Sequence, residues 1–452
     1  AASPAAAAAA AASGHGHALR VLCSSSFSSA AAAAAAIAPT HGSSGVPVRV
    51  CVVGAGPAGF YTVSQLLKRL GDNVRVDLVD RLPTPFGLVR SGVAPDHQDA
   101  KNVTRQFDAV GADPRVRFLG NVTLGKDVQL QELRGMFDAV VLAYGAEADR
   151  KLGVPGEDAR NVLSARNFVW WYNGHPDAQQ LPLDLSRVEA VAICGIGNVA
   201  LDCARVLLKG AAGLAETDAS DTALAALLGA SGKLREVHLV ARRGPVQAAC
   251  TPKELKEVLS LPGVSVSAPA GQMELSRADA TVVAAQRKAR RLVELVSSAA
   301  AQDRPSATRR LHFQYYRMPT EITVGADGMV DGLRVEHAKL VESDGGQVRA
   351  VGTGQYSVLP VQLVLVSIGY RSLPVPGLPF DCRNGTVPNI GGRVVSAAAA
   401  TTAAAATTAI APAKTASRGG SRGGGGGGGC GGNAGTAHKG GTGGGRGGGW
   451  WG

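Results

Sequence analysis

A chain of 452 residues with 45% hydrophobic side chains can bury two ordinary cores and still leave segments that do not fold. Its formal charge of +11 is unevenly spread: the first 46 residues carry only Arg20, the stretch after Ser396 carries five basic residues and no acid, and about +5 remains for residues 47–396. That mild excess suits an acidic protein partner better than nucleic acid, with a generic basic surface as the plainer alternative.

The first 46 residues are rich in alanine and serine and hold no Asp or Glu, the composition of an organelle transit peptide; an alanine-rich leader is the alternative. No apolar run reaches the ~18 residues a membrane helix needs, so no transmembrane segment is expected. Folded sequence starts at Val48 with a strand over 48–53, a helix over 58–69, a strand over 75–79 and a later apolar strand from Phe137. A second α/β series begins at Glu189, with a strand over 236–240 and a helix from Pro252. A long basic helix over about 279–298 follows, then strands near 311–316 and 331–337 and an apolar strand over 359–366. After Val395 the alanine, threonine and glycine text has almost no bulky apolar residue, so it cannot offset its ordering entropy by burial and is expected to be disordered. Seven cysteines (Cys23, Cys51, Cys194, Cys203, Cys250, Cys382, Cys430) form no C-x-x-C pair and have no metal-ligand spacing with histidine. Cys51 and Cys194, at the ends of apolar strands, are expected to be buried free thiols in a reducing compartment, with neither disulfide exchange nor a metal site.

Two glycine turns carry the chemistry. In "VRVCVVGAGPAGFYTVSQLL" Gly54 allows a tight turn, Gly56 lets backbone approach a pyrophosphate, and Gly59 lets helix and strand pack closely. The next strand, "VRVDLVD", ends in Asp80, whose carboxylate can accept from a ribose 2'-hydroxyl and repels a 2'-phosphate. In "AVAICGIGNVALDCARVLL" Gly195 and Gly197 repeat the pattern with Ala200 in the third place, and the following strand ends in Arg242 and Arg243. Two guanidiniums there reverse the preference, because they can bind a 2'-phosphate bidentately; a solvated strand end is the competing reading. One site then suits the adenosine half of FAD and the other NADPH, so that a two-electron hydride enters and single electrons leave.

The segments "PTPFGLVRSGVAPDHQDAKNV", "AYGAE", "FVWWYNGHP", "RRGPVQAACTPKEL", "SIGYRS" and "VPNIGGRVV" occur in order around these turns, and over residues 48–395 the chain resembles the adrenodoxin reductase family of mitochondrial-type ferredoxin-NADP reductases. The resemblance implies an α/β protein of two Rossmann-like three-layer domains, with the FAD domain split around an inserted NADP domain. The implied boundaries are 1–46 transit peptide, 47–148 FAD domain, 149–358 NADP domain, 359–396 the second part of the FAD domain and 397–452 a low-complexity tail. It implies FAD contacts at Ala58, Asp80, Leu88 and Leu124, and NADP contacts at Ile196, Gly197, Asn198, Val199, Arg242, Arg243 and Glu254. His97 and Asp202 resemble the family's polar pair near the flavin; a satisfied structural histidine and a carboxylate bracing the turn are the alternatives. The implied activity is electron transfer from NADPH through FAD to an acidic [2Fe-2S] ferredoxin in the mitochondrion, with the chloroplast as the second choice. Arg287, Lys288, Arg290 and Arg291 are candidates for part of the basic face that the acidic ferredoxin would bind, or else an ordinary solvated helix face. The pattern departs from the family at Ile196, where Gln is usual, and at Cys250, where Phe is common. It also departs after Val395, where no glycine-tryptophan segment is recognisable, so a truncated NADP-binding module without turnover is the alternative function.

Overall fold

The computed structural model describes residues 46–342 and 348–396; the transit-peptide and tail expectations for 1–45 and 397–452 lie outside the described residues. Strands β1 (Val48–Val53), β2 (Val74–Val79), β3 (Val116–Leu119) and β4 (Ala139–Leu142) form a parallel sheet in the order β3-β2-β1-β4. The run "VRVCVV" is buried on both faces from Val50 onward, as expected of a central parallel strand. Helix α1 (Pro57–Leu70) lays Phe60, Val63 and Leu67 on one face of the sheet, and Leu133 and Phe137 close the other.

Seen along the chain, β5 (Val162–Ser164), β6 (Ala190–Cys194), β7 (Glu236–Val240), β8 (Val264–Ser267) and β9 (Arg309–Gln314) belong to a second sheet. Three antiparallel strands follow, β10 (Arg317–Val324), β11 (Val330–Glu342) and β12 (Val348–Leu359), and then β13 (Leu363–Val366). The second sheet is parallel throughout, in the order β5-β13-β6-β7-β9-β8. Helices α2 (Asn198–Lys209) and α3 (Pro252–Leu259) pack on one face through Val191, Ile193, Val237, Leu239 and Phe313. The antiparallel sheet covers the other face, where Ala190, Ala192 and Val240 meet Ile322, Leu333 and Val335. The α/β expectation is therefore realised as three layers around the second sheet.

Four details differ from the sequence-based expectation. Pro360, which has no N–H to give a ladder, splits the expected strand over 359–366: Leu359 ends β12 and Leu363 starts β13. Secondly, β13 pairs with β5 and β6, so residues up to Val366 belong to the second sheet and not, as the expected boundary at 359 had it, to the first domain. The run "LVLV" is buried on every residue, which only the middle of a covered parallel sheet accommodates. The chain turns back to the first unit just afterwards, where Tyr370 and Arg371 pair with Asp149 and Ala148. Thirdly, the long basic helix is two, α4 (Arg277–Ala285) and α5 (Arg287–Ala300), separated by Gln286 in extended conformation. Lastly, Tyr316 at φ 54° breaks the strand after 314 and starts the antiparallel sheet.

Candidate functional site

Both glycine turns sit at the carboxyl end of a central strand, with neighbours on either side that the chain reaches in opposite directions. That is where open α/β sheets leave a crevice for a ligand. Their local architecture matches. The Gly54 N–H donates to Val79 O at 2.7 Å, and the Gly195 N–H donates to Val240 O at 2.8 Å. Gly54 has φ 108° and Gly195 φ 126°, and a Cβ on either would overlap a neighbouring carbonyl, Ala143 O or Ser367 O. Gly59 is likewise closed by Gly54 O. The middle glycines face space instead: a Cβ at Gly197 would meet nothing within 4 Å, and one at Gly56 only the Gly87 Cα at 3.9 Å.

The helix that follows each turn leaves its first N–H groups without a side-chain cap and has no acidic residue in its first turn. Elsewhere Ser164, Ser220, Thr251 and Ser276 cap their helices. Uncapped donors, the helix dipole and an open glycine together fit the pyrophosphate of a dinucleotide.

The strand ends carry the predicted opposite charges. The Asp80 Oδ2 accepts from Ala55 N at 2.7 Å and Oδ1 from Leu82 N at 2.9 Å, so the carboxylate is fixed beside the Gly54 turn. Burial raises its pKa above the ordinary carboxylate value, and the two backbone donors oppose that rise. Arg242 and Arg243 are exposed beyond β7, and neither side chain pairs with an acidic group among the described residues. Of the other expected contacts, Ala58 is exposed at the start of α1, and Leu88 is 45% exposed and opens the short helix Leu88–Ser91. The Phe86 N–H binds Ala55 O at 2.7 Å with φ 88°, a strained backbone that folds the "PFGL" loop over the first turn. Leu124 is half-buried, bridged to Val128. Ile196 is buried in the core of the second sheet, Val199 is half-buried, and the Asn198 Oδ1 accepts from Thr251 N at 2.8 Å, bracing the turn to α3.

His97, Asp202 and Glu254 come together in one buried cluster, along with four residues that the sequence reading did not single out: Asp96, Arg205, Lys209 and Glu257. Arg205, 2% exposed, donates from Nε and Nη2 to Asp96 at 2.7 and 3.0 Å, and its Nη2 lies 2.8 Å from Asp202 Oδ1. Lys209 Nζ adds a bond of 2.8 Å to Asp96. His97 Nε2 lies 2.7 Å from Glu257 Oε2 and 3.7 Å from Glu254 Oε2, while its Nδ1 is 3.4 Å from Arg205 Nη2. Since arginine only donates, Nδ1 accepts and Nε2–H is directed to Glu257. Burial opposes ionisation of Asp96, but Arg205 and Lys209 outweigh it and hold that carboxyl well below its usual range. Four carboxylates face two permanent cations, and burial pushes Asp202 up to about 6 despite Arg205 beside it. A helical signal was available: Asn198, Asp202, Arg205 and Lys209 form one polar stripe on an otherwise apolar α2.

Burial pushes the Cys51 and Cys194 thiols up to about 12 and Cys250 up to about 11, which disfavours their reactive thiolate forms. The exposed residues Arg287, Lys288, Arg290 and Arg291 lie on α5. Among the described residues no helix is long and apolar enough to cross a membrane.

Residues 48–395 match the family model described as pyridine nucleotide-disulphide oxidoreductase, which sets the class. Within that class the chain belongs to the adrenodoxin reductase family. It is 47% identical over 360 residues to the mitochondrial NADPH:adrenodoxin oxidoreductase of Arabidopsis thaliana, covering 78% of this chain and 74% of that protein. It is 42% identical to the NADPH-ferredoxin reductase FprA of Mycobacterium tuberculosis over 352 residues, 77% and 76% of the two chains. The structure of that FprA in complex with NADPH superposes with a TM-score of 0.73 at 41% identity, over 77% of this chain and 76% of that one.

Proposed function

We propose that this chain is an FAD-dependent NADPH:ferredoxin oxidoreductase. The observation that carries the reading is the equivalence of the two turns. The same hydrogen bond from the first glycine to the end of the next strand sets a carboxylate beside one turn and, beyond the other, two guanidiniums with no acidic partner among the described residues. The carboxylate excludes a 2'-phosphate and fits FAD, while the guanidiniums select the phosphorylated coenzyme. When bound, FAD accepts hydride from NADPH and yields electrons one at a time.

The chain's own residues bind and orient. Gly54, Gly56, Ala58, Gly59, Asp80, Leu88 and Leu124 are assigned to FAD, and Gly195 to Val199, Arg242, Arg243 and Glu254 to NADPH. Orientation supplies most of the acceleration a hydride transfer needs, so the site depends on rigid turns more than on acid-base groups. His97 and Asp202 act in the buried cluster, His97 holding its proton on Nε2 toward Glu257 and Asp202 held next to Arg205. The partner is read as an acidic [2Fe-2S] ferredoxin docking on Arg287, Lys288, Arg290 and Arg291, and the compartment as the mitochondrion. Residues 47–148 and the segment after Val366 are assigned to the FAD domain and 149–366 to the NADP domain.

The test is anaerobic titration of the purified, FAD-loaded chain with NADPH, followed by addition of a [2Fe-2S] ferredoxin. Bleaching of the flavin absorbance and reduction of the ferredoxin are expected. A chain that binds NADPH without retaining flavin would overturn the reading in favour of the non-turnover module.

A further inference from the structure

The corner between β9 and β10 lies against the loop that carries the two arginines of the second turn. Gln314 stands opposite Val240 in the parallel register, so β9 ends at the same carboxyl edge as β7. Beyond that pair the two segments stay joined: Ala241 N–H donates to Gln314 O at 2.9 Å, Arg317 N–H to Ala241 O at 2.9 Å and Tyr316 N–H to Arg243 O at 3.4 Å. Tyr316 makes the corner at φ 54°, a left-handed conformation that is strained for a non-glycine residue, and its ring covers Gly244, where a Cβ would overlap the Tyr316 hydroxyl. The backbone presenting Arg242 and Arg243 is therefore braced by residues that the chain reaches more than 70 positions later.

A third arginine stands just past this corner. Arg317 pairs with His337, and two residues on Pro319 pairs with Val335, which belongs to the core between the antiparallel and the parallel sheet. Residues two apart on a strand share a face, so Arg317 is on the inner face of the antiparallel sheet, at the end next to Arg242 and Arg243. It is half-buried, and its Nη1 donates to Tyr315 O at 3.4 Å and to Tyr316 O at 3.0 Å. Among the described residues no acidic side chain pairs with it, and its Nε and Nη2 donors have no acceptor. Burial lowers its pKa with no anion opposing the shift. A cation drawn out of water without a counter-ion is unfavourable, and an arriving anion relieves that state.

We propose that Arg317 is a third specificity residue of the second nucleotide site, its guanidinium joining Arg242 and Arg243 in receiving the 2'-phosphate of NADPH. The inference rests on the reading of that turn as the NADPH site and adds to it a residue from a different sheet. A phosphate monoester carries nearly two negative charges and three acceptor oxygens, more than one guanidinium can satisfy. Arg242 and Arg243 are exposed and lose side-chain freedom on binding, whereas Arg317 is already held by two carbonyls and loses less. The unphosphorylated coenzyme would leave the Arg317 charge unbalanced, which discriminates against it. Sequence spacing concealed the residue, because Arg317 lies 74 positions beyond Arg243 and only the pairing of β7 with β9 brings the two together.

The test is calorimetric titration of the full chain with NADP+ and with NAD+, in the wild type, Arg317→Gln, Arg317→Lys and Arg334→Gln. Arg334 lies on the same antiparallel sheet in an ion pair with Glu321, so Arg334→Gln removes one charge without altering the corner. The preference for NADP+, read as the ratio of the two dissociation constants, should fall more than about tenfold in Arg317→Gln through weaker NADP+ binding alone. It should fall about threefold or more in Arg317→Lys, which keeps the charge and loses the fork, and stay at the wild-type value in Arg334→Gln. The backbone bonds to Ala241 and Arg243 do not depend on the side chain, so a changed ratio reports the guanidinium itself. An unchanged ratio in Arg317→Gln, equal weakening of NADP+ and NAD+, or an equal fall in Arg334→Gln overturns the proposal. Should Arg317→Gln fail to fold, a wild-type ratio in Arg317→Lys overturns it instead. A wild type that binds both coenzymes equally removes the NADPH reading as well, whereas a preference that survives in Arg317→Gln removes only the part given to Arg317.

Discussion

The Arg205 guanidinium grips the Asp96 carboxylate through two hydrogen bonds of 2.7 and 3.0 Å, across 109 residues of sequence and between side chains 2% and 5% exposed. Asp96 precedes the histidine of "APDH" in the first nucleotide-binding unit, while Arg205 lies on α2 of the second. The pair is therefore a buried fastening between the two units, and it aligns His97 on one side with Asp202 and Glu254 on the other.

Replacing Arg205 by Met should be severe. Removing the cation leaves Asp96, Asp202 and Glu254 as buried carboxylates with too few partners, a loss of about 3–5 kcal/mol by the usual behaviour of broken buried pairs. Arg205→Lys should recover part of it. Denaturant unfolding midpoints measure both, and a Met variant as stable as wild type would show that the cluster holds nothing together.

Asp202 should leave a pH signature. Its carboxyl titrates near 6 in the folded chain and near 3.8 without the fold, so between those values the folded state binds the extra proton. Stability contributed by this group is present at low pH and is lost as pH rises through about 6. The difference in unfolding free energy between wild type and Asp202→Asn should therefore change between pH 4 and pH 7, with the wild type losing stability relative to the variant. A flat difference contradicts the burial of this carboxyl.

The two glycines of the second turn should fail in different ways. Gly195→Val puts a side chain at φ 126° and into Ser367 O, so soluble yield should collapse. At Gly197 the backbone is extended and an added Cβ meets nothing within 4 Å, so Gly197→Val should fold with a cost of about 1 kcal/mol at the helix start yet bind NADPH more than tenfold more weakly. Flavin content should stay unchanged. Equal NADPH affinity in wild type and Gly197→Val would remove the pyrophosphate from this position.

These contrasts show where the sequence was readable. Gly54, Gly195, Asp80 and Arg242 each sit within one strand, turn and helix, so local spacing was enough to single them out. Arg205 was hidden because its partners arrive from distant segments, and an arginine in an apolar helix reads as a surface residue until Asp96 is folded onto it. Pro360 was printed in the sequence and its consequence was missed: the apolar pattern over 359–366 looked continuous, and only the missing N–H marks the switch from the antiparallel sheet to the parallel one. Gln286 similarly divides a basic stretch whose composition alone predicts one helix.

The account depends most on coenzyme selection by opposite charges at the ends of β2 and β7. The direct measurement is the ratio of kcat/KM for NADPH over NADH, in wild type and in the double variant Arg242→Ala, Arg243→Ala. Each charge-assisted bond to a 2'-phosphate contributes about 1.5–3 kcal/mol, so the ratio should fall at least tenfold through loss of NADPH efficiency, with NADH efficiency and flavin content nearly unchanged. An unchanged ratio in a folded, flavin-loaded double variant would contradict the assignment of the second turn to NADPH.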